Sequence, residues 1–335
     1  MDEVTAGIDI GGIDTEIGVV NKNGKCFKKA TIITGDYSDV TEFVKACADI
    51  INTLRKEGNL KLNAIGVAAP NGNPNNGSIE NAVNLSWKGI IPFAEILHSY
   101  IDVPVTLTND AKAAAVGEKL FGGAKSMQNF ILITLGAGLG SGIYTHGHLL
   151  TGNLGLAGEM GHMIVDSNGR MCNTKRKGCL ESYASVTGIK RTIFSLLSDT
   201  VHKSSLRDFS FKDLNGEQIS LAAHNGDPIA LEAFEFTGRV LGRALANVIS
   251  LFDPEAIFFA GGLARAGDLL LKPTQKHIDQ NVFPAFEGKV RLLISELLDT
   301  NGGMMGACAL AWEKYMNENK TVNLHSKSLD PDGGR

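Results

Sequence analysis

Two glycine-rich turns carry the residues best suited to chemistry. The first is Asp9-Ile10-Gly11-Gly12, and the second is Leu135-Gly136-Ala137-Gly138-Leu139-Gly140-Ser141-Gly142. Alternating glycines between strands expose backbone N–H groups that an anion can approach with no side chain in the way, so two such turns facing one another predict a clasp for a polyphosphate. A tight hairpin without a ligand is the competing reading of either turn alone, and the repetition favours the ligand. Asp9 lies within an apolar strand, where a carboxylate is costly unless it is solvated, paired or beside a metal. Mg²⁺ suits it, because one carboxylate suffices when nucleotide phosphates and water complete the shell. The alternative is a carboxylate satisfying its own turn. Two standard nucleotide motifs are not met. No G-x-x-x-x-G-K-[ST] occurs, and the run from Gly136 lacks G-x-G-x-x-G spacing and leads into Ile143-Tyr144-Thr145, which reads as strand rather than helix.

The turns need strands to hold them. Thr5 to Val20 reads as strand, glycine turn and strand, and Asn23-Gly24 closes a further hairpin. Asp39 then opens a helix with Glu42 as its capping-box partner; Val40, Phe43, Val44, Cys47, Ile50, Ile51 and Leu54 form its apolar face and Gly58 ends it. A strand from Ala64 to Ala69 precedes an Asn- and Gly-rich loop at 71–77. The strand Val103 to Thr108 runs into Asn109-Asp110 and an Ala-rich helix to about Phe121, with Asp110 at the helix N-terminus. Phe130 to Tyr144 repeats the opening pattern. A long helix (Asp227 to Leu251), the strand Ala256 to Ala260, the pair Gly261-Gly262, a strand near 290–295 and a last helix from Gly303 to Tyr315 complete the pattern. The duplication predicts two similar α/β lobes, 1–121 and 122–317, with a cleft between their glycine turns; the last helix, counted with the second lobe, is free to pack back on the first. The polar stretch 318–335 is expected to be a flexible tail.

At 335 residues the chain is long enough for two domains with separate cores. Glycine is its compositional outlier: 39 of 335 residues, against a usual share of about 7%, so many turns or close backbone approaches are demanded. The net charge of −4 gives no general attraction to nucleic acid or an anionic membrane, so neither is expected as a partner. No run approaches a membrane span and the start lacks signal-peptide character, so a cytoplasmic protein is expected. Five scattered cysteines argue against a disulfide framework and leave Cys172 and Cys179 as the close pair.

The two turns, together with Asn109-Asp110-Ala111, Gly155-Leu156-Ala157-Gly158-Glu159-Met160-Gly161-His162 and Gly178-Cys179-Leu180-Glu181, stand in the order and spacing of the ROK family of sugar kinases and repressors. The chain resembles its glucokinase-type members from about residue 5 to residue 317. The resemblance implies an actin-like, hexokinase-like (ribonuclease H-like) duplicated two-lobe fold and ATP-dependent phosphorylation of a hexose 6-hydroxyl, glucose first. It also implies Mg-ATP held at the glycine turns and a homodimer or homotetramer. Transfer to a hydroxyl needs a base beside the attacking oxygen, and Asp110 is the candidate. A helix dipole favours the carboxylate, so no raised pKa is expected of it. The resemblance assigns Asn84, Asn109, Glu159, His162 and Glu181, with Asp110, to the hexose; such groups donate and accept with neighbouring hydroxyls. Taken singly, the two glutamates also read as surface charges and His162 as a core histidine. Asp9, Gly11, Gly12, Gly136, Gly138, Gly140, Gly261 and Gly262 form the cofactor set, with Asp9 reaching Mg²⁺ through water.

The resemblance further implies a structural zinc site in which His162, Cys172 and Cys179 fill three of four positions. Thr174 stands at the fourth, followed by Lys175-Arg176-Lys177. A closed tetrahedral site wants four N or S ligands, so Zn²⁺ is expected to bind weakly or not at all. Ile13 and Ala137 stand where the family usually carries threonine, and each lost hydrogen bond to a charged group costs about 1.5 to 3 kcal/mol; Thr15 is a candidate substitute. Asn71 in Pro70-Asn71-Gly72 replaces a glycine and tolerates left-handed backbone. These departures make a weakly active or noncatalytic sugar binder the first alternative. A kinase for N-acetylmannosamine, N-acetylglucosamine, fructose or mannose is another. A repressor is disfavoured, since only eight residues precede Asp9, too few for a helix-turn-helix.

Overall fold

The structure, a computed structural model, describes residues 1–300 and 302–328, with side chains for residues 1–300 and 302–318. Strand β1 (Asp2–Ile10) turns through Gly11 and Gly12 into β2 (Asp14–Asn21), which turns at Asn23-Gly24 into β3 (Cys26–Ile33). Both pairings are antiparallel. Helix α1 (Val40–Glu57) buries Phe43, Val44, Cys47, Ala48, Ile51 and Leu54 at helical spacing. Its cap is Asp39 accepting from the Thr41 N–H, rather than the reciprocal box expected with Glu42. Strand β4 (Leu60–Ala68) then lies parallel to β1. A small antiparallel sheet of β5 (Gly72–Asn73), β6 (Ser78–Glu80) and β7 (Ile90–Ile91), then helix α2 (Phe93–Tyr100), precede β8 (Val105–Thr108), which pairs parallel with β4. Helix α3 (Asp110–Leu120) leaves the end of β8.

The second sheet repeats the first. Strands β9 (Phe130–Leu135), β10 (Leu139–Thr145) and β11 (His148–Leu149) form an antiparallel meander. Helices α4 (Val186–Asp199), α5 (Gly216–His224) and α6 (Pro228–Phe252) follow. Asp227 caps α6 through the Ile229 and Ala230 N–H groups, with Pro228 in the first turn where no hydrogen bond is lost. Strand β12 (Ala256–Ala260) runs parallel to β9; helix α7 (Asp268–Asp279) crosses to β13 (Arg291–Ile294), parallel to β12. The orders β3-β2-β1-β4-β8 and β11-β10-β9-β12-β13 are therefore one topology used twice.

The chain divides into two compact units. One comprises Met1–Lys125, Thr151–Leu156 and the residues from Asp299 on; the other is Ser126–Leu150 with Ala157–Leu298. Each has a core, built around Ile8, Val19, Phe43, Val67 and Phe93 in the first and Ile131, Ile133, Phe234, Leu241 and Phe259 in the second. The last helix, α8 (Gly302–Ser328), belongs to the first unit and packs on β1, β4 and α3. Close approach is what glycine permits there: a Cβ on Gly66 would overlap Ala307 O, and one on Gly306 would overlap Ala113 O. Thr5 Oγ1 donates to Cys308 O at 3.0 Å, and Trp312 Nε1 donates to Val20 O at 3.1 Å. Helix α8 continues beyond the expected Tyr315 to Ser328, through much of the stretch expected to be a flexible tail; residues 329–335 lie outside those described. Among the described residues, no helix is long and apolar enough to cross a membrane.

Candidate active site

In the first unit the acids gather at the ends of β1 and β8. Asp9 sits opposite Glu16 of β2 and beside Ala68 of β4. Burial, and then the negative charges of Asp110, Glu16 and Asp14, push its carboxyl pKa up to about 7. The turn after it is closed by Gly11 N–H donating to Asp14 O at 2.9 Å. Asn84 is exposed, and its backbone carbonyl lies where a Cβ on Gly12 would be, which brings it to this turn. Against the other side of Asp9 rests the first turn of α8: a Cβ on Gly303 would overlap the Asp9 carboxylate.

Asn109, not Asp110, caps α3, by accepting from the Lys112 N–H at 2.8 Å. Asp110 is thereby released from cap duty and stands at the first helical position, its Oδ1 held by the Ala111 N–H at 2.8 Å. It keeps a solvent-accessible face. Even so, surrounding protein desolvates it enough to raise its pKa, and the hydrogen bond from Ala111 does not offset this. The expectation of an unraised carboxylate, based on the helix dipole alone, is corrected: desolvation outweighs it. Lys112, fully buried, donates from Nζ to Gly155 O at 2.7 Å and so anchors the loop that leads to Glu159. Sequence reasoning missed Lys112 and Gly303; a lysine two positions after Asp110 and the Gly302-Gly303 pair opening α8 were the available signals.

In the second unit the turn is shorter than the glycine run suggests. Gly136 to Gly138 makes it, closed by Gly136 N–H donating to Gly138 O at 3.0 Å, whereas Gly140 and Gly142 already pair in β10. It is pinned to the start of α4, where the Val186 N–H donates to Gly136 O at 2.9 Å and Thr187 Oγ1 donates to Ala137 O at 2.7 Å. The glycine of Gly261, at φ +87°, lies against Leu135 and allows no Cβ. Gly136 and Gly262 differ: an added Cβ would meet no atom within 4 Å and neither has positive φ. Both follow adjacent parallel strands, β9 and β12, at the carboxyl ends where open α/β sheets bind ligands, so their bareness suits a ligand approaching the backbone.

The sugar-assigned residues of this unit lie around the same turn. A Cβ on Gly138 would sit 3.1 Å from the half-buried Glu181 carboxylate, and one on Gly161 would lie 3.5 Å from Glu181 Cβ. Glu159, exposed, precedes a single 3₁₀ turn, Met160–His162. Buried Ser141 fixes that loop: its Oγ donates to Gly158 O and accepts from the Met160 N–H at 3.4 Å. His162 Nδ1 is buried without a hydrogen-bond partner among the described residues, a group that a ligand hydroxyl would satisfy.

The implied zinc ligands do not assemble. Cys172 and Cys179 meet with their sulfurs 2.8 Å apart and Thr174 Oγ1 is 2.9 Å from Cys172 Sγ, but among the described residues no three His, Cys, Asp or Glu side chains converge as a metal site. Burial disfavours the Cys172 thiolate, yet hydrogen bonds from Cys179 and Thr174 outweigh it and bring the thiol down to about 7.

This duplicated sheet, with acids at the strand ends of one unit and a bare glycine turn in the other, defines the actin-like two-domain sugar-kinase class. Residues 5–314 match the model of the ROK family. The chain is 32% identical over 313 residues to a glucokinase of Thermotoga maritima, covering 92% of this chain and 97% of that one. A ROK family glucokinase from Streptomyces griseus, solved with glucose and AMPPNP, superposes with a TM-score of 0.77 at 30% identity, covering 92% and 99% of the two chains. A ROK family transcriptional regulator homologous to the E. coli MLC protein superposes at 0.83 with 25% identity, over 94% of this chain and 79% of the regulator. The chain belongs to the ROK family, and within it to the sugar kinases.

Proposed function

We propose that the chain transfers the terminal phosphoryl group of ATP to the 6-hydroxyl of a hexose, with glucose as its principal substrate. The observation that carries this reading is Asp110: an accessible carboxylate with a raised pKa, relieved of capping by Asn109 and oriented by the Ala111 N–H. Desolvation that disfavours the charged form makes this carboxylate a better proton acceptor than an exposed one as the hydroxyl oxygen attacks. Asn84, Asn109, Glu159, His162 and Glu181 hydrogen-bond the remaining hydroxyls, and His162 Nδ1 is the group that most needs a partner.

The Gly11-Gly12 and Gly136–Gly138 turns, with Gly140, Gly261 and Gly262, present backbone to ATP. Asp9 would hold Mg²⁺ through water, and a carboxylate raised to about 7 by burial and then by neighbouring acids fits a position that a cation completes. The chemistry an ion held there would supply is neutralisation of the charge developing on the phosphates. A cytoplasmic location and a homodimeric or homotetrameric assembly go with this reading.

Exposed Ile13, in the first turn where a hydroxyl is expected, favours the second reading, a sugar binder with little turnover. A coupled assay of ADP release with glucose, mannose, fructose, N-acetylglucosamine and N-acetylmannosamine separates the two. ADP release greatest with glucose, and a product phosphorylated at O6 by nuclear magnetic resonance, is expected. Sugar binding by calorimetry without ADP from any of the five would replace the kinase by the binder.

A further inference from the structure

Of the five cysteines, Cys47 and Cys308 are buried in the core of the first unit and Cys26 is exposed on β3. Cys172 and Cys179 differ from these in facing each other. A hairpin holds them: Met171 bridges Lys177, the Cys172 N–H donates to Arg176 O at 2.8 Å, the Gly178 N–H donates to Arg170 O at 2.8 Å, and Cys179 is bridged to Ile164. The sulfurs are 2.8 Å apart, and the loop between them, residues 173–177, is exposed. Where a four-ligand zinc site needs a further thiolate, Thr174 offers a hydroxyl, which keeps its proton at neutral pH and ligates zinc poorly; His162 does not join the pair.

We propose that Cys172 and Cys179 form a modification site in place of a zinc site: a dithiol that a peroxide or a small-molecule disulfide oxidises to an intrachain disulfide. A disulfide bond is about 2.0 Å long, so small side-chain rotations close the remaining gap. With peroxide, the Cys172 sulfur, having given its proton to solvent, attacks one oxygen. The O–O bond breaks, the departing hydroxide takes up a proton as water, and Cys172 becomes a sulfenic acid. The Cys179 sulfur then attacks the Cys172 sulfur and the S–OH bond breaks. The hydroxyl leaves as a second water with the Cys179 proton, so two thiols and one peroxide give one disulfide and two waters. With a small disulfide, Cys172 displaces one thiol to give a mixed disulfide and Cys179 displaces the other. Glu181 lies two residues beyond Cys179, so this bond would tether the loop that bears it.

The test uses the whole chain carrying Cys26→Ser, which removes the exposed thiol. It is treated with hydrogen peroxide or oxidised glutathione, denatured in an alkylating agent and digested with trypsin without reduction. Trypsin cleaves after Lys175, Arg176 and Lys177, so the peptides bearing Cys172 and Cys179 stay together only if bonded to each other. The expected result is a joined pair, two hydrogens lighter than the sum of its thiol peptides, in most chains, lost on dithiothreitol treatment and absent from a Cys172→Ser variant. Full alkylation of both cysteines after oxidation, or an adduct that stays on Cys172 alone, would overturn the proposal. So would one equivalent of zinc by elemental analysis that survives dialysis against a chelator and shields both thiols.

Discussion

Asp9 and Asp110 are two carboxylates at strand and helix ends, both raised first by burial and Asp9 also by the charge of Asp110, and such shifts carry a cost in stability above the unfolded-state pKa. Asp9 ionises near 3.8 in the unfolded chain and near 7 in the folded one. Below the lower value both states are protonated. Between the two the unfolded chain releases the proton that the folded chain keeps, so stability present at acid pH is lost as pH rises through about 7. Asp9→Asn should therefore raise Tm at pH 8 by several degrees, leave it nearly unchanged at pH 4 if the protein stays folded there, and lower turnover; a Tm gain equal at both values would contradict the assignment. The raised pKa of Asp9 predicts that kcat/KM falls as pH drops through about 7, because this parameter reports the free enzyme. A profile flat down to pH 5 would count against it. At this scale the sequence displayed the acids but not their environment. Asp110 was legible from Asn109-Asp110-Ala111, whereas its raised pKa depends on surrounding protein that local helix chemistry does not reveal.

Turns and helix ends decide what those acids face. Because α8 begins at Gly302 and packs its first turn against Asp9, Gly303→Ala would press a methyl group into the carboxylate. The expected outcome is a loss of at least about tenfold in kcat/KM, with a destabilisation of roughly 1–3 kcal/mol, read by steady-state kinetics and thermal melting. Unaltered kinetics would show that Asp9 need not stay where it is. In the Gly11-Gly12 turn, Ile13 is 79% exposed, so Ile13→Thr removes no packing and returns a hydroxyl. It should lower KM for ATP by up to about tenfold, as one hydrogen bond to a charged group allows; no change would mean that backbone alone holds the phosphate. The meanders, α1, α3, α6 and β12 were readable from periodicity and turn residues. The second glycine run was read too long, since Gly140 and Gly142 alternate with apolar residues as a strand also does. The length of α8 was misjudged because polar residues after Tyr315 looked like a tail, although nothing in that stretch before Ser328 is a helix breaker.

For the whole molecule, duplication was the clearest signal, and the two five-stranded sheets of identical order account for it. Division of the chain is less simple than two consecutive halves, because Thr151–Leu156 and α8 return to the first unit, held by contacts of Gly155 with Lys112 and of α8 with β1, β4 and α3. The sequence already leaves the last helix able to pack back on the first lobe, whereas the return of Thr151–Leu156 leaves no local pattern. Part of the glycine excess has the same origin: Gly66 and Gly306 exist for helix-on-strand and helix-on-helix contact rather than for turns. The zinc ligands show the opposite limit, since the family resemblance implied a site at His162, Cys172 and Cys179 for which Thr174 supplies no fourth N or S ligand.

The proposed passage of a sugar hydroxyl's proton to Asp110 while ATP is cleaved can be probed by comparing wild type with Asp110→Asn. Single-turnover ADP formation with glucose should fall by about 10³-fold, while the Kd for glucose measured by calorimetry stays within about threefold, because the amide keeps a hydrogen bond to the hydroxyl but cannot accept its proton. A variant that binds glucose normally and still turns over at the wild-type rate would rule out Asp110 as the base.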